Sequence, residues 1–328
     1  MSMQAQSRAD TLFSAEKVSR YAVVLAFVGL LVAFSLASPT FITGANLYNV
    51  LLNNVVMLAI VALGMTIVIT AGGIDLSVGV SVDMASMVFI MLLAAGHGAA
   101  FGAAVGLCAA AAVGLLNAIL ITRLKISPFL ATLGVLFIGQ SVQQIATGGG
   151  QPIYLVTGDF AVVFNAIVRT QVLGVPMPLI VLAACLGTVY AALHHSVFGR
   201  YARAFGAQPG VAWYSGIRVP FNMSLVYVGC AVLCGIAGIL LSSTVRSYVP
   251  LSGNAFLLDA IGATFIGTTI SAERRPSVIG TLLGVALLAT VKNGLLLVGW
   301  NFYWQQVGVG VLVFLILALS FGLRGRSH

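Results

Sequence analysis

The side chains that could carry out chemistry in this sequence are few, because only 7% of its 328 residues are charged. The four histidines and four cysteines lack the spacing of a metal-binding motif, and the GxxxxGK[ST] phosphate-binding loop does not occur. We therefore predict no catalytic residue, no metal site and no cofactor bound by this chain. A membrane-embedded enzyme is an alternative, but it would need a converging acid, base, nucleophile or metal site, and the sequence contains no such set.

The polar residues that stand out are carboxylates and amides inside apolar runs, where ionisable groups are functional candidates by default. Asp83 could accept hydrogen bonds from a polyol or form an internal hydrogen-bond link. Asp259 and Lys292 enter neighbouring runs from the same side, which suggests an ion pair; snorkelling of Lys292 to the outer surface is an equal alternative. The candidate solute path, with helix–helix hydrogen bonding as the alternative for each member, comprises Asp83, Asn53, Asn54, Gln140, Gln143, Gln144 and Asn293.

The elements that must position these side chains are long apolar runs. Hydrophobic residues make up 60% of the sequence, whereas a soluble domain carries about 25% charged residues, so the composition indicates an integral membrane protein. A membrane-spanning helix needs about 20 mostly apolar residues. Ten runs predict ten transmembrane helices, at 21–37, 49–70, 76–95, 99–122, 128–147, 177–195, 220–243, 254–270, 277–298 and 303–321.

The predicted fold is an all-α polytopic membrane protein with one transmembrane domain at 21–321, a cytoplasmic segment at 1–20 and a cytoplasmic tail at 322–328. Lys and Arg are enriched in cytoplasmic loops. With the N-terminus in the cytoplasm, 12 of the 15 Lys and Arg residues fall on the cytoplasmic side, Arg169 and Arg246 fall outside, and Lys292 lies within a run. The net charge of +8 therefore indicates membrane orientation and not a nucleic-acid partner.

The sequence AGGIDLS at 71–77 interrupts the apolar pattern between the second and third runs. Gly72 and Gly73 allow a tight reversal that residues with a Cβ atom would resist. Asp75, followed by Ser77, is suited to cap the next helix, because a carboxylate accepts hydrogen bonds from unpaired backbone N–H groups. A capped helical hairpin explains this stretch without any further function.

The segment at about 196–219 is the longest predicted cytoplasmic connection between runs. Pro209 suits the first turn of a short helix, and Gly216 could end that helix in a left-handed conformation. Trp213 and Tyr214 lie between them and would give the helix an aromatic face. Such a face is typical of a protein-docking element, and an interfacial helix with its aromatic rings at the lipid headgroups is the alternative.

Several segments together resemble one protein family. AGGIDLSVG resembles the signature of the permease subunits of bacterial ABC sugar importers of the ribose, xylose and arabinose group. SPFLATLG at 127–134 resembles the segment that opens the fifth span of these permeases, and AFGAQPGVAWYSGIRV at 204–219 resembles their ATPase-coupling loop. GTLLGVALLATVKNGLLLVG at 280–299 and WQQVGVG at 304–310 resemble their last two spans. The similarity runs in the same order over nearly the whole chain.

The resemblance implies a permease subunit in the bacterial inner membrane that moves a monosaccharide or related polyol, while ATP and Mg²⁺ bind to a separate cytoplasmic ATPase. It also implies a periplasmic sugar-binding protein and a second permease chain, identical or paralogous; membrane lipid surrounds them. The signature turn would comprise Gly72, Gly73, Asp75 and Ser77. The ATPase-coupling residues would be Ala204, Phe205, Gly206, Pro209, Trp213, Tyr214, Ser215 and Gly216.

The sequence departs from the family pattern at a few positions. Gly210 stands where an acidic residue is usual, Lys292-Asn293 stands where two asparagines are usual, and Asp83 stands where a small or apolar residue is commoner. These differences bear on the solute more than on the fold. The alternative function is an ion-coupled secondary transporter with Asp83 as its titrating group, which predicts dependence on a coupling ion and no ATPase.

Overall fold

The fold is built of apolar helices joined by short connections. A computed structural model describes residues 23–155, 160–208, 210, 214, 216–271 and 275–322. The helices of these residues are, in chain order, α1 (Val23–Ala37), α2 (Gly44–Thr70), α3 (Val78–Ala94), α4 (Ala99–Thr122), α5 (Pro128–Ala146), α6 (Phe160–Val168), α7 (Met177–His195), α8 (Val197–Ala207), α9 (Val219–Val245), α10 (Asn254–Ile270), α11 (Val278–Leu297) and α12 (Phe302–Gly322).

Each of the ten predicted runs overlaps one of these helices. Most helix ends fall within two residues of the predicted ends; the exception is α2, which begins at Gly44 and passes through a π-helical segment at Leu51–Val55. Among the described residues, six helices are long and apolar enough to cross a membrane, and α1, α3 and Phe302–Ile316 are shorter apolar helices. The chain is therefore a polytopic, all-α membrane protein.

Among the elements with described bounds, two helices and four short strands lie outside the predicted runs. The helices are α6 and α8, and the strands form two antiparallel pairs. Strand β1 (Ile153–Tyr154) pairs with β4 (Ser247–Tyr248), with Ile153 opposite Tyr248. Strands β2 (Gln171–Val172) and β3 (Val175–Pro176) form a hairpin whose two turn residues both have positive φ, as tight hairpin turns require.

The described chain divides into two compact units, one of residues 1–55 and 262–328 and the other of residues 56–261. In the second unit, α9 packs against α3, α4 and the second part of α2. Glycine permits the packing of α9 on α4, because a Cβ atom at Gly114 would lie 2.5 Å from the carbonyl oxygen of Tyr227. It also permits the packing of α4 on α3, because a Cβ atom at Gly106 would lie 2.8 Å from the carbonyl oxygen of Ala85. Without a hydrophobic drive between helices in lipid, such close backbone approach holds them together.

The first unit uses the same packing principle. Gly280 of α11 meets Gly267 of α10, and Gly284 meets the backbone of Ala263 one turn away. These two glycines of α11 are four residues apart, so both lie on the same face of the helix. Gly294, further along α11, leaves room for the ring of Phe34 from α1.

Candidate functional site

The turn between α2 and α3 is tight, and Asp75 stabilises it from within. Gly72 has φ +80°, a left-handed conformation that favours glycine. The Asp75 Oδ1 atom accepts hydrogen bonds from the Ser77 backbone N–H at 2.8 Å and the Ser77 hydroxyl at 2.7 Å. The prediction that Asp75 caps α3 is wrong, because the helix begins at Val78 with Ser77 as its N-cap. Asp75 instead forms an Asx turn two residues earlier in the chain.

A buried hydrogen-bond chain connects this turn to α4. The Asn117 side-chain amide donates to the Ser77 hydroxyl at 2.7 Å, and Asp75, Ser77 and Asn117 are all at most 1% exposed. Burial raises the pKa of the Asp75 carboxyl to about 6, although the hydrogen bonds from Ser77 lower it. Sequence reasoning missed Asn117, and its only signal is an amide within the apolar run of α4.

Gly73 is required for a different reason from Gly72. A Cβ atom at position 73 would lie 2.5 Å from the hydroxyl oxygen of Tyr227 in α9. Tyr227 is fully buried, so its ring could not move aside into solvent. The signature turn is thus enclosed by α4 through Asn117 and by α9 through Tyr227.

The predicted coupling segment begins with an 11-residue helix that the sequence did not predict. Helix α8 is capped by Ser196, whose hydroxyl accepts from the Gly199 N–H at 3.3 Å. It carries three of the predicted coupling residues, Ala204, Phe205 and Gly206, and Phe205 is 2% exposed. Helix α8 thus precedes the segment for which the sequence predicts a helix from Pro209 to Gly216.

The remaining coupling residues are only partly described. Tyr214 is 91% exposed, and Gly216 has φ +73°, a conformation suited to the predicted helix end. Pro209, Trp213 and Ser215 lie outside the described residues, so their predicted roles stay predictions.

Helix α8 lies directly against the signature turn. A Cβ atom at Gly206 would overlap the carbonyl oxygen of Thr70 and lie 3.2 Å from the Gly72 nitrogen. A Cβ atom at Gly72 would lie 3.0 Å from the Gly206 Cα atom. The structure therefore brings together two motifs that are more than 130 residues apart in the sequence.

Asp83 forms an internal link in the second unit. Its Oδ1 atom accepts hydrogen bonds from the Gly253 N–H at 2.8 Å and the Ser252 hydroxyl at 3.0 Å. Gly79, one turn earlier in α3, makes room for this approach, because a Cβ atom there would lie 2.8 Å from the Gly253 carbonyl oxygen. Asp83 thereby holds the start of α10, and contact between Asp83 and solute stays a prediction.

The glutamines of α5 have different environments. Gln143 is fully buried, and its Oε1 atom accepts from the Tyr248 hydroxyl at 2.9 Å and the Leu251 N–H at 3.1 Å. Gln140 is half-buried and donates to the Asn254 side chain at 3.4 Å. Gln144 is exposed. Gln143 and Asp83 thus fix the same segment before α10.

The other members of the predicted solute path lie in the first unit. Asn293 is buried and forms a reciprocal amide pair with Asn46, at 2.9 and 3.1 Å. Asn53 and Asn54 are exposed, and Asn53 donates to Asn49. The buried members of the predicted path, one in each of α3, α5 and α11, thus form helix–helix or helix–loop hydrogen bonds, which is the alternative interpretation of these residues.

The predicted pair of Asp259 and Lys292 stays a prediction. Asp259 is buried in α10 and belongs to the second unit, while Lys292 lies in α11 of the first. The fold of each unit does not by itself test the pair.

Comparison with known proteins gives a consistent result. Residues 46–317 match the family described as branched-chain amino acid transport system / permease component. The chain is 32% identical to the ribose import permease protein RbsC of Bacillus subtilis over 89% of each chain. It is 32% identical to RbsC of Escherichia coli K12, over 90% of this chain and 92% of that one.

A further relative is named for a different solute. The chain is 31% identical to the autoinducer 2 import system permease protein LsrD of Escherichia coli O9:H4, over 85% of this chain and 86% of that one. No solved structure matches the chain. Because the family match covers most of the described helices and these relatives align over more than four-fifths of their length, the chain belongs to the permease-component family of bacterial transport systems.

Proposed function

We propose that the chain carries a monosaccharide or related polyol across the bacterial inner membrane as the permease subunit of an ATP-binding-cassette importer. The observation that carries this proposal is the similarity to ribose import permeases over about nine-tenths of the chain. The apolar helices fit the membrane location. We further propose that ten helices cross the membrane and that both termini are cytoplasmic, as the distribution of Lys and Arg predicts.

The energy source lies on a partner in this proposal. A separate cytoplasmic subunit binds ATP and Mg²⁺ and docks on the coupling segment at 196–219, where the exposed Tyr214 side chain supports a docking role. A periplasmic sugar-binding protein delivers the solute, and a second permease chain, identical or paralogous, completes the path. ATP binding closes the ATPase subunits and switches the path between outward- and inward-facing states.

The range of possible solutes is limited by the low charge content of the apolar runs. Amide and hydroxyl side chains can exchange hydrogen bonds with a neutral, hydroxylated solute. The relative named for autoinducer 2 import supports testing small polyols beside ribose and other monosaccharides.

Purification from the native membrane in mild detergent, followed by mass spectrometry of the co-purifying chains, tests the assembly. We expect a P-loop ATPase in fixed ratio to this chain. Reconstituted vesicles should then take up labelled solute when ATP is present and should stop when the P-loop lysine of the ATPase is replaced.

The same vesicles test the alternative of ion-coupled transport. Collapse of proton and sodium gradients with ionophores should leave ATP-driven uptake unchanged. The proposal would be contradicted if the chain purified without any ATPase and its uptake were independent of ATP but abolished by an ionophore. Asp83 would then be the candidate titrating group.

A further inference from the structure

At Gly206, backbone atoms of α8 meet backbone atoms of the signature turn. Gly206 lies against Thr70 and Gly72, with a separation that leaves no room for a Cβ atom on either glycine. A contact between long side chains can absorb a displacement by a change of rotamer, whereas close-packed backbone transmits it. Movement of α8 at Gly206 must therefore move the turn.

The signature turn is itself fixed to two apolar helices of the same unit. Asp75 and Ser77 connect it to Asn117 of α4 through hydrogen bonds of 2.7–2.8 Å. Gly73 meets the Tyr227 hydroxyl of α9, where a Cβ atom would lie only 2.5 Å away. A displacement of the turn therefore acts on α3, α4 and α9 at the same time.

Three buried side-chain oxygens at this junction have unused hydrogen-bonding capacity. Among the described residues, Asp75 Oδ2, Asn117 Oδ1 and the Tyr227 hydroxyl have no hydrogen-bond partner. Buried polar groups are normally paired with protein groups or ordered water. A small shift of the turn has groups available with which to form a new bond.

We propose that the Gly206–Gly72 contact is the positioning element through which movement of the coupling segment reaches the membrane helices. This inference rests on the proposed function, because it needs an ATPase that moves α8. Gly206 and Gly72 set the position of the turn and, through Asp75, Ser77 and Asn117, that of α4. Because Gly206 and Tyr214 are both exposed, docking of the ATPase and transmission at Gly206 are measured as separate quantities.

Two substitutions test the contact, each with a matched control. Gly206→Ala adds a methyl group against Thr70, and Gly187→Ala adds one to α7 where no described heavy atom lies within 4 Å. Gly72→Asn keeps a residue that tolerates positive φ but places a side chain against Gly206. Its control is Gly96→Asn, at φ +85° with no described heavy atom within 4 Å.

The assay uses the full complex in vesicles and measures three quantities: co-purified ATPase, ATP hydrolysis and solute uptake. For Gly206→Ala and Gly72→Asn complexes that retain the ATPase, we expect a fall of at least tenfold in solute moved per ATP hydrolysed. The two control variants should keep the wild-type ratio. Unchanged coupling in assembled Gly206→Ala and Gly72→Asn complexes would overturn the inference, as would an equal loss in the controls.

If neither variant folds, a measurement on the wild-type complex tests the role of the Gly206–Gly72 contact. Hydrogen exchange is followed in the peptides that contain residues 70–77 and 197–208, with and without ATP trapped on a hydrolysis-deficient ATPase. We expect both peptides to change together; a change confined to 197–208 would overturn the inference. A wild-type complex with no ATP-driven uptake would instead overturn the proposed function itself, and the inference with it.

Discussion

The buried Asp75 carboxyl group leads to a prediction about stability whose sign is fixed by the structure. Asp75 is 1% exposed, and burial raises its pKa from 3.8 to about 6 against the opposing effect of the Ser77 hydrogen bonds. The rise corresponds to about 3 kcal/mol in the free energy of unfolding. Because the pKa of Asp75 is higher in the folded state, protonated Asp75 contributes this free energy to stability. The contribution is fully present below pH 3.8 and is lost as the pH rises through 6.

The variant Asp75→Asn isolates this effect from all other titrating groups. Asparagine has the same shape, and its Oδ1 atom can accept both hydrogen bonds from Ser77, but it carries no charge at any pH. The free energy of unfolding of the variant minus that of the wild type should therefore increase by about 2 kcal/mol between about pH 4 and pH 7. Groups that titrate in both proteins cancel in this difference.

The assay is denaturant unfolding of both proteins in the same detergent, followed by tryptophan fluorescence at several pH values across this range. A difference that does not change with pH would refute the reasoning, because it would mean that Asp75 has the same pKa in the folded and unfolded chain. A difference that decreases with rising pH would mean that hydrogen bonding to the charged carboxylate outweighs the effect of burial.

Three further predictions concern packing and hydrogen bonding. In α9, Gly238→Ala should lower the free energy of unfolding by about 1–3 kcal/mol, because its Cβ atom would overlap a carbonyl oxygen of α3. The control Gly229→Ala, whose Cβ atom would meet no neighbouring element within 4 Å, should raise the free energy of unfolding by up to about 1 kcal/mol. A double-mutant cycle with Asn46→Ala and Asn293→Ala should give a coupling of about 1 kcal/mol, and additive effects would contradict the reciprocal amide bond. Asp83→Ala should lower the free energy of unfolding by about 1–3 kcal/mol. Asp83→Asn should lower it less, because asparagine keeps an acceptor for the Gly253 N–H. A raised KM for solute with an unchanged free energy of unfolding would instead assign Asp83 to the solute path.

The positions of the long helices could be predicted from the sequence because the membrane imposes their length and composition. The runs at 99–122 and 177–195 coincide with α4 and α7 to the residue. Helix α2 begins earlier than its apolar run because Thr43 caps it and accepts a hydrogen bond from the Asn46 N–H. A start in polar residues does not appear in a hydropathy pattern.

Helix α8 could not be found from apolar length, since it is short and combines arginines with a buried face. Ala202 and Phe205 lie on that face at helical spacing and are at most 2% exposed. The amphipathic pattern is present in the sequence, but Arg200 and Arg203 interrupt it, so it does not form an apolar run.

What the sequence by itself determined is the membrane location, the ten apolar segments and the family motifs, because each depends on local composition or on a contiguous run of residues. The tertiary structure alone decided the partners of the polar residues. Asp83 bonds to Gly253, 170 residues away in the sequence, and Gly206 meets Gly72. The physical reason is that a hydrogen bond or a backbone contact depends on which groups the packed helices bring within about 3 Å. A local pattern in the sequence does not specify which distant groups come that close.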